Sequence, residues 1–287
     1  MNKSNIGWIN GFIGVLIFAG SMPATRIAVT GFSPTFLTAI RATIAAVLAL
    51  ICLLCLKQQR PHPDQYKSLM IASLGVVVGF PLFSALALQD ISASRALVFV
   101  ALQPLSTAIF SVFRAGERPS AKFWLFTLLG SSFVIAFMLT NDHSHHTSSG
   151  DLYMIAAVLA CGLGYAEGGN LSRTLGGWQV ICWALIFALP GMLILTVYYF
   201  PDNFTEVSYS AYAALAYVSI FSMLIGFFFW CKGLAMGGIA KVGQIQLIQP
   251  FIGLSLCAIL LGESISLNMI LVSFAVVICV MFAKKFA

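Results

Sequence analysis

The stretch RALVFVALQPLSTAIFSVFRAGE, from Arg95 to Glu117, decides how this chain is read, because its landmarks recur in KVGQIQLIQPFIGLSLCAILLGE, from Lys241 to Glu263. Arg95 matches Lys241, Gln103-Pro104 matches Gln249-Pro250, and Gly116-Glu117 matches Gly262-Glu263, every pair at an offset of 146 positions. Phe83 with Phe229 and Leu88 with Leu234 keep that offset upstream. In so apolar a composition the rare residues carry the information, and their agreement at one constant shift reads as two copies of one unit.

Working outward, the composition places the chain in a membrane. It is 60% hydrophobic and 8% charged, with a mean hydropathy of +0.97. A soluble domain carries about a quarter charged residues, so there is too little polar surface here to cover a globule in water. The net charge of +6 forms no dense basic run of the kind nucleic acid would need. All seven cysteines lie in apolar segments, where thiols are inert; Cys52 and Cys55 form a CxxC without a second pair or a histidine nearby.

A bilayer core of ~30 Å takes about 20 apolar residues as helix. Ten segments qualify: 7–29, 33–56, 67–89, 93–113, 121–140, 151–171, 178–200, 208–231, 239–261 and 266–284. The first resembles a signal peptide but runs on past Pro23, and is read as an uncleaved helix. Helix is the expected form throughout, because lipid offers backbone groups no partners and no alternating barrel pattern occurs. The prediction is an all-α membrane protein of ten transmembrane helices in two five-helix repeats, 1–140 and 151–287, joined by a polar linker at 141–150.

Basic residues set the orientation. Lys3, Lys57, Arg60, Lys67, Arg114, Arg118, Lys122, Arg173, Lys232, Lys241, Lys284 and Lys285 fall on one side of the ten-span arrangement, only Arg26 and Arg95 on the other, and Arg41 lies within a span. Both termini are therefore expected in the cytoplasm, with 141–150 outside. Five spans per repeat is an odd number, so the second copy enters the membrane upside down. Inverted repeats are the architecture of alternating-access carriers, which bind near the midplane between the halves.

Two five-helix units, each with Pro in the fourth helix and the shape Gln-Pro-x11-Gly-Glu before the fifth, resemble the EamA-type transporters of the drug/metabolite transporter superfamily. Arg41, in FLTAIRATIAA, also sits where first repeats of that family carry an arginine; its counterpart region near Trp183–Leu185 is apolar. The resemblance covers nearly the whole chain. It implies a carrier of the inner or plasma membrane for a small metabolite, with amino acids or related compounds as cargo and export as direction. Phosphorylated or nucleotide-linked cargo is the alternative, and would want more cavity cations than Arg41. A membrane-embedded enzyme is the rival class; no nucleophile–base pair or clustered acids support it, and no cofactor is expected.

Several residues are candidates for chemistry. Pro104 and Pro250 lie about 16 Å into their spans and each removes one backbone bond, freeing the carbonyls of Val100 and Gln246; they are candidate hinges. Gln103, Gln246 and Gln249 are buried amides at that depth, and serve either a polar substrate or helix–helix association. Arg41 lies about 12 Å into its span, where an unpaired guanidinium costs at least ~3 kcal/mol, and either meets an anion or sits in an ion pair. Phe99, Tyr165 and Trp230, with Phe80, stand at cavity-like depth, where lipid or core contact is the plainer use. Glu167 is the acid inside a span, flanked by Gly164, Gly168 and Gly169. It is a candidate for proton coupling, or for a gate pair with Lys232, Arg173 or Lys241. Arg95 and Lys241 are gate charges or interface anchors. Glu117 and Glu263 follow helix-ending glycines and are expected to pin turns. His143, His145 and His146, with Asp142 and Asp151, have metal-ligand chemistry but read as a solvated linker, so no metal is expected.

Overall fold

The computed structural model describes residues 3–115, 120–140, 148–237 and 242–286. Those residues form helices and connecting turns, with no strand among them. Seven helices are long and apolar enough to cross a membrane: Asn5–Ala28, Pro34–Cys55, Pro63–Asp90, Ala93–Arg114, Ser149–Leu175, Gly177–Tyr198 and Tyr209–Gly237. Further apolar helices are Ala121–Thr140, Ile245–Leu261 and Leu267–Cys279. Leu54, Leu128, Ile194, Val197 and Ile259 turn most of their apolar surface outward. In water that coat would be an aggregation surface; in lipid it is the natural exterior.

Short polar residues start the helices. Ser33 accepts from the Phe36 amide ahead of Pro34, Ser92 from the Arg95 amide, and Ser208 from the Ala211 amide. Each satisfies one of the amides that a helix start leaves without a partner. Gly262, at φ +63°, ends Gln249–Leu261 in the left-handed conformation that glycine adopts without a Cβ penalty.

Small residues bring the helices together. Gly7 and Gly11 of the first helix lie against Gly237 and Gly233, where a Cβ on Gly7 would stand 2.7 Å from the Gly237 amide nitrogen. Gly75 meets Gly164 with the same intimacy. Close backbone approach of this kind replaces the hydrophobic drive that lipid cannot supply. The two largest buried clusters among the described residues flank this packing. One holds Phe18, Tyr165, Phe227 and Trp230; the other holds Leu97, Phe99, Met154, Leu247 and Leu254.

Two helices widen into π-helical turns, at Ser73–Gly79 and Tyr217–Ile225. Moved by 146 positions, 73–79 becomes 219–225, inside the second. The proline helices also depart from a simple kink. The first pauses after Val100 and restarts at Gln103, so Pro104 sits in an opening turn, where its missing amide costs nothing. In the second, Gln244–Ile248 winds as a 3-10 helix and the Gln249 amide donates to the Gln246 carbonyl. The tighter winding thus occupies the carbonyl that Pro250 was expected to free.

Candidate functional site

Seven helical segments converge on a closed cavity of about 30 Å³ at the centre of the bundle. Phe18, Ser21 and Met22 come from the first helix, Arg41 from the second, and Val76, Phe80 and Pro81 from the third. Gln103, Cys161, Tyr165, Ser222, Met223, Phe227 and Gln249 complete the wall. The space admits water and nothing larger, so the arrangement is occluded.

The wall is apolar apart from a few polar groups, some of them short of partners. Arg41 is buried and its Nη2 donates to the Val218 carbonyl at 3.2 Å, while Nε has no partner. No ion pair among the described residues involves Arg41. Gln249 Oε1 is likewise buried without a partner. Ser21 and Ser222 share a 2.6 Å hydrogen bond, and the Tyr165 hydroxyl interacts with the side chains of Cys161 and Gln246. A buried cation and a buried amide with open valences are costly unless a ligand satisfies them. Chemically, the cavity is ready for an anionic or zwitterionic group.

Two ion pairs stand at different levels of the bundle. At one end Arg95 meets Asp151 through two bonds, Nε to Oδ1 at 2.9 Å and Nη2 to Oδ2 at 2.6 Å. Beside them Glu263 accepts from the amides of Ala93 and Ser94, at 2.9 and 2.8 Å, and from the Ser94 hydroxyl at 2.6 Å. Its carboxylate caps the positive N-terminus of the helix that carries Arg95. At the opposite end Arg114 Nε donates to Glu167, whose side chain is 2% exposed.

The model of the EamA-like transporter family matches residues 5–139 and again 148–283. The chain belongs to the EamA-like transporter family. Among relatives, this EamA-like transporter is 53% identical over all 287 residues to a Bacillus subtilis (strain 168) protein described as the uncharacterized transporter YdeK, covering 100% of each. It is 22% identical over 257 residues, 87% of this chain and 83% of the relative, to a probable terminal-alkyne amino-acid exporter of Streptantibioticus cattleyicolor (strain ATCC 35852). A crystal structure of a protein superposes over 100% of both chains with a TM-score of 0.72 at 18% identity, a likeness of fold alone.

Of the residues singled out from sequence, Arg41, Gln103, Gln249 and Tyr165 stand together in the wall of this EamA-like transporter's cavity, and Gln246 reaches it through Tyr165. Trp230 lines an adjoining crevice with Tyr165, ring centroids 5.7 Å apart. Phe99 does not reach the cavity; it is fully buried in the second cluster. Glu167 pairs with Arg114 rather than with Lys232 or Arg173, because Arg114 lies across the contact between Ala93–Arg114 and Ser149–Leu175. Lys241, Glu117, His143, His145 and His146 lie outside the described residues. Among the described residues no group of three His, Cys, Asp or Glu is placed to hold a metal ion. Ser21, Ser222, Phe18 and Phe227 were not foreseen, since serine and phenylalanine are too common in apolar helices to mark a site. Asp151 had a signal, as an acid in the opening turn of a helix.

Proposed function

We propose that this protein exports amino acids with apolar side chains across the cell (inner) membrane by alternating access. The observation that carries the reading is Arg41, buried in a closed central cavity with Nε unpartnered and no carboxylate paired to it. A substrate carboxylate is the counter-charge that position lacks. Gln249 Oε1 is an acceptor of the kind an ammonium needs, and Met22, Phe80, Met223 and Phe227 offer an apolar side chain its surroundings. A phosphorylated substrate would call for further cations in the wall, and among the described residues Arg41 is the one basic residue lining it. The name of the Streptantibioticus relative agrees with this cargo and direction.

In the same reading, Ala121–Thr140, Ile245–Leu261 and Leu267–Lys285 complete ten spans in two inverted five-helix repeats, 1–140 and 151–287. The paired matches of the family model, the common offset of the π-turns and the recurrence of Gln-Pro and Gly-Glu support it. Both termini are cytoplasmic, so Arg95–Asp151 closes the outer face and Arg114–Glu167 the inner one. Glu167 then serves as a gate partner rather than a proton carrier. The test is uptake by proteoliposomes from a panel of amino acids, nucleosides and amphipathic amines, with and without a pH gradient. Saturable uptake of L-leucine or a similar amino acid is expected; uptake of nucleosides or amines with no amino acid transported would overturn the proposal.

A further inference from the structure

π-Helical residues make up well under about 1% of proteins and gather at functional sites. Here two such turns occupy offset-related positions, and both border the cavity. Ser73–Gly79 contributes Val76, and Tyr217–Ile225 contributes Ser222 and Met223. In each the closing amide reaches five residues back, Phe80 to the Gly75 carbonyl and Gly226 to the Phe221 carbonyl. Of the two, only the second touches the buried cation: the Val218 carbonyl, in the first turn of Tyr217–Ile225, accepts from Arg41 Nη2. A carbonyl has two lone pairs, and the extra residue of a π-turn swings it outward from the helix, so Val218 can serve Arg41 as well as its own helix. Ser219 stabilises the start of the turn by donating its hydroxyl to the Leu215 carbonyl at 2.6 Å.

We propose that the π-turn Tyr217–Ile225 is the positioning element for carboxylate recognition, holding Arg41 by Nη2 at the cavity wall so that Nε stays available to a bound carboxylate. This rests on Arg41 being the carboxylate's partner, as proposed above. Val218 acts through Arg41 and touches no substrate. An ordinary α-turn at this place would draw the carbonyl back toward its own helix and release the guanidinium. The matching turn at Ser73–Gly79 has no cation to hold, because the second repeat lacks an arginine in the region corresponding to Arg41.

Deletion of Ile220 tests this, since it removes the extra residue and leaves the turns on either side in register. The probes are L-leucine and L-leucine methyl ester, and the readout is equilibrium binding to the full chain in lipid nanodiscs. Arg41→Ala should weaken L-leucine binding at least about tenfold and methyl ester binding by less than about twofold. The deletion should weaken L-leucine about three- to tenfold, spare the ester, and add nothing in the Arg41→Ala background, because the two act as one unit. Equal loss for acid and ester, or an undiminished effect without Arg41, would overturn the positioning claim and leave the role of Arg41 standing. Equal loss for both probes in Arg41→Ala, or no L-leucine binding by the wild type, would overturn both. Should the deletion fail to fold, Ser219→Ala relaxes the same turn more gently; it should weaken L-leucine about twofold and spare the ester, and no difference between the probes would overturn the claim.

Discussion

Arg95 and Asp151 join the opening turns of two helices that lie side by side and run in the same direction, through bonds of 2.9 and 2.6 Å. The same helices are joined again at their far ends by Arg114 and Glu167. The nineteen residues from Arg95 to Arg114 span about 28 Å as helix and the sixteen from Asp151 to Glu167 about 24 Å, close to the ~30 Å of a bilayer core. One contact between helices is thus fastened by ion pairs at two levels.

Under the proposed topology the Arg95–Asp151 pair lies at the outer face, which predicts a labelling change. Cys257 is fully buried and interacts with Ser94 and Glu263 beside the Arg95–Asp151 pair. Asp151→Asn should loosen that face and raise the reaction of Cys257 with an impermeant maleimide applied outside, by about tenfold or more. Unchanged protection of Cys257 would show that the pair does not hold the face shut.

In the Arg114–Glu167 pair the two partners should behave unequally. Arg114 is 36% exposed and can turn to solvent when Glu167 is neutralised, whereas Glu167 is 2% exposed and stays buried when Arg114 is lost. Arg114→Gln should therefore cost about 3 kcal/mol of stability and Glu167→Gln about 1, because the larger loss comes from stranding a buried charge. Thermal unfolding in detergent measures both. Equal losses would mean that Glu167 finds another partner.

How much of this was legible follows from which residues carry rare information. Ten apolar segments and the offset of 146 could be read because charge and proline are scarce in the chain. Arg41, Gln103 and Gln249 were findable as polar groups at an apolar depth. The π-turns were not, since SLGVVVG and YVSIFSMLI carry no compositional mark that separates them from an α-helix. Phe99 packs in the core, the plainer use of a ring at that depth, because depth alone does not say which face of a helix a ring occupies. Arg114 as the partner of Glu167 depends on how two helices lie against each other, which hydropathy does not encode.

The Gly-Glu motif makes a separate prediction. Gly262 ends its helix in the left-handed conformation and delivers Glu263 to the amides of Ala93 and Ser94. Glu263→Ala should cost about 2 kcal/mol, the upper range for a helix cap, and Glu263→Gln about half as much, since an amide oxygen still accepts. Denaturation in detergent tests the order; equal costs would argue that an uncharged acceptor contributes nothing there.

The prolines stand in opening turns, where they tolerate replacement. Pro104→Ala and Pro250→Ala should each change stability by less than about 1 kcal/mol. In inverted repeats the two helices face opposite solvents, so a hinge role for the prolines would show as opposite biases of the carrier in the two mutants. Single cysteines near the outer and inner faces report this. Labelling that rises on the same face in both mutants, or on neither, would make the prolines packing features only.

The central claim is that Arg41 is the counter-charge for a transported carboxylate, and uptake by proteoliposomes tests it most directly. L-Leucine and its methyl ester are offered to wild type and to Arg41→Ala. The account predicts that the variant loses L-leucine uptake by at least about tenfold, as removal of one charge-assisted contact implies, while uptake of the ester changes little. L-Leucine uptake that survives Arg41→Ala, or falls in step with the ester, would contradict it.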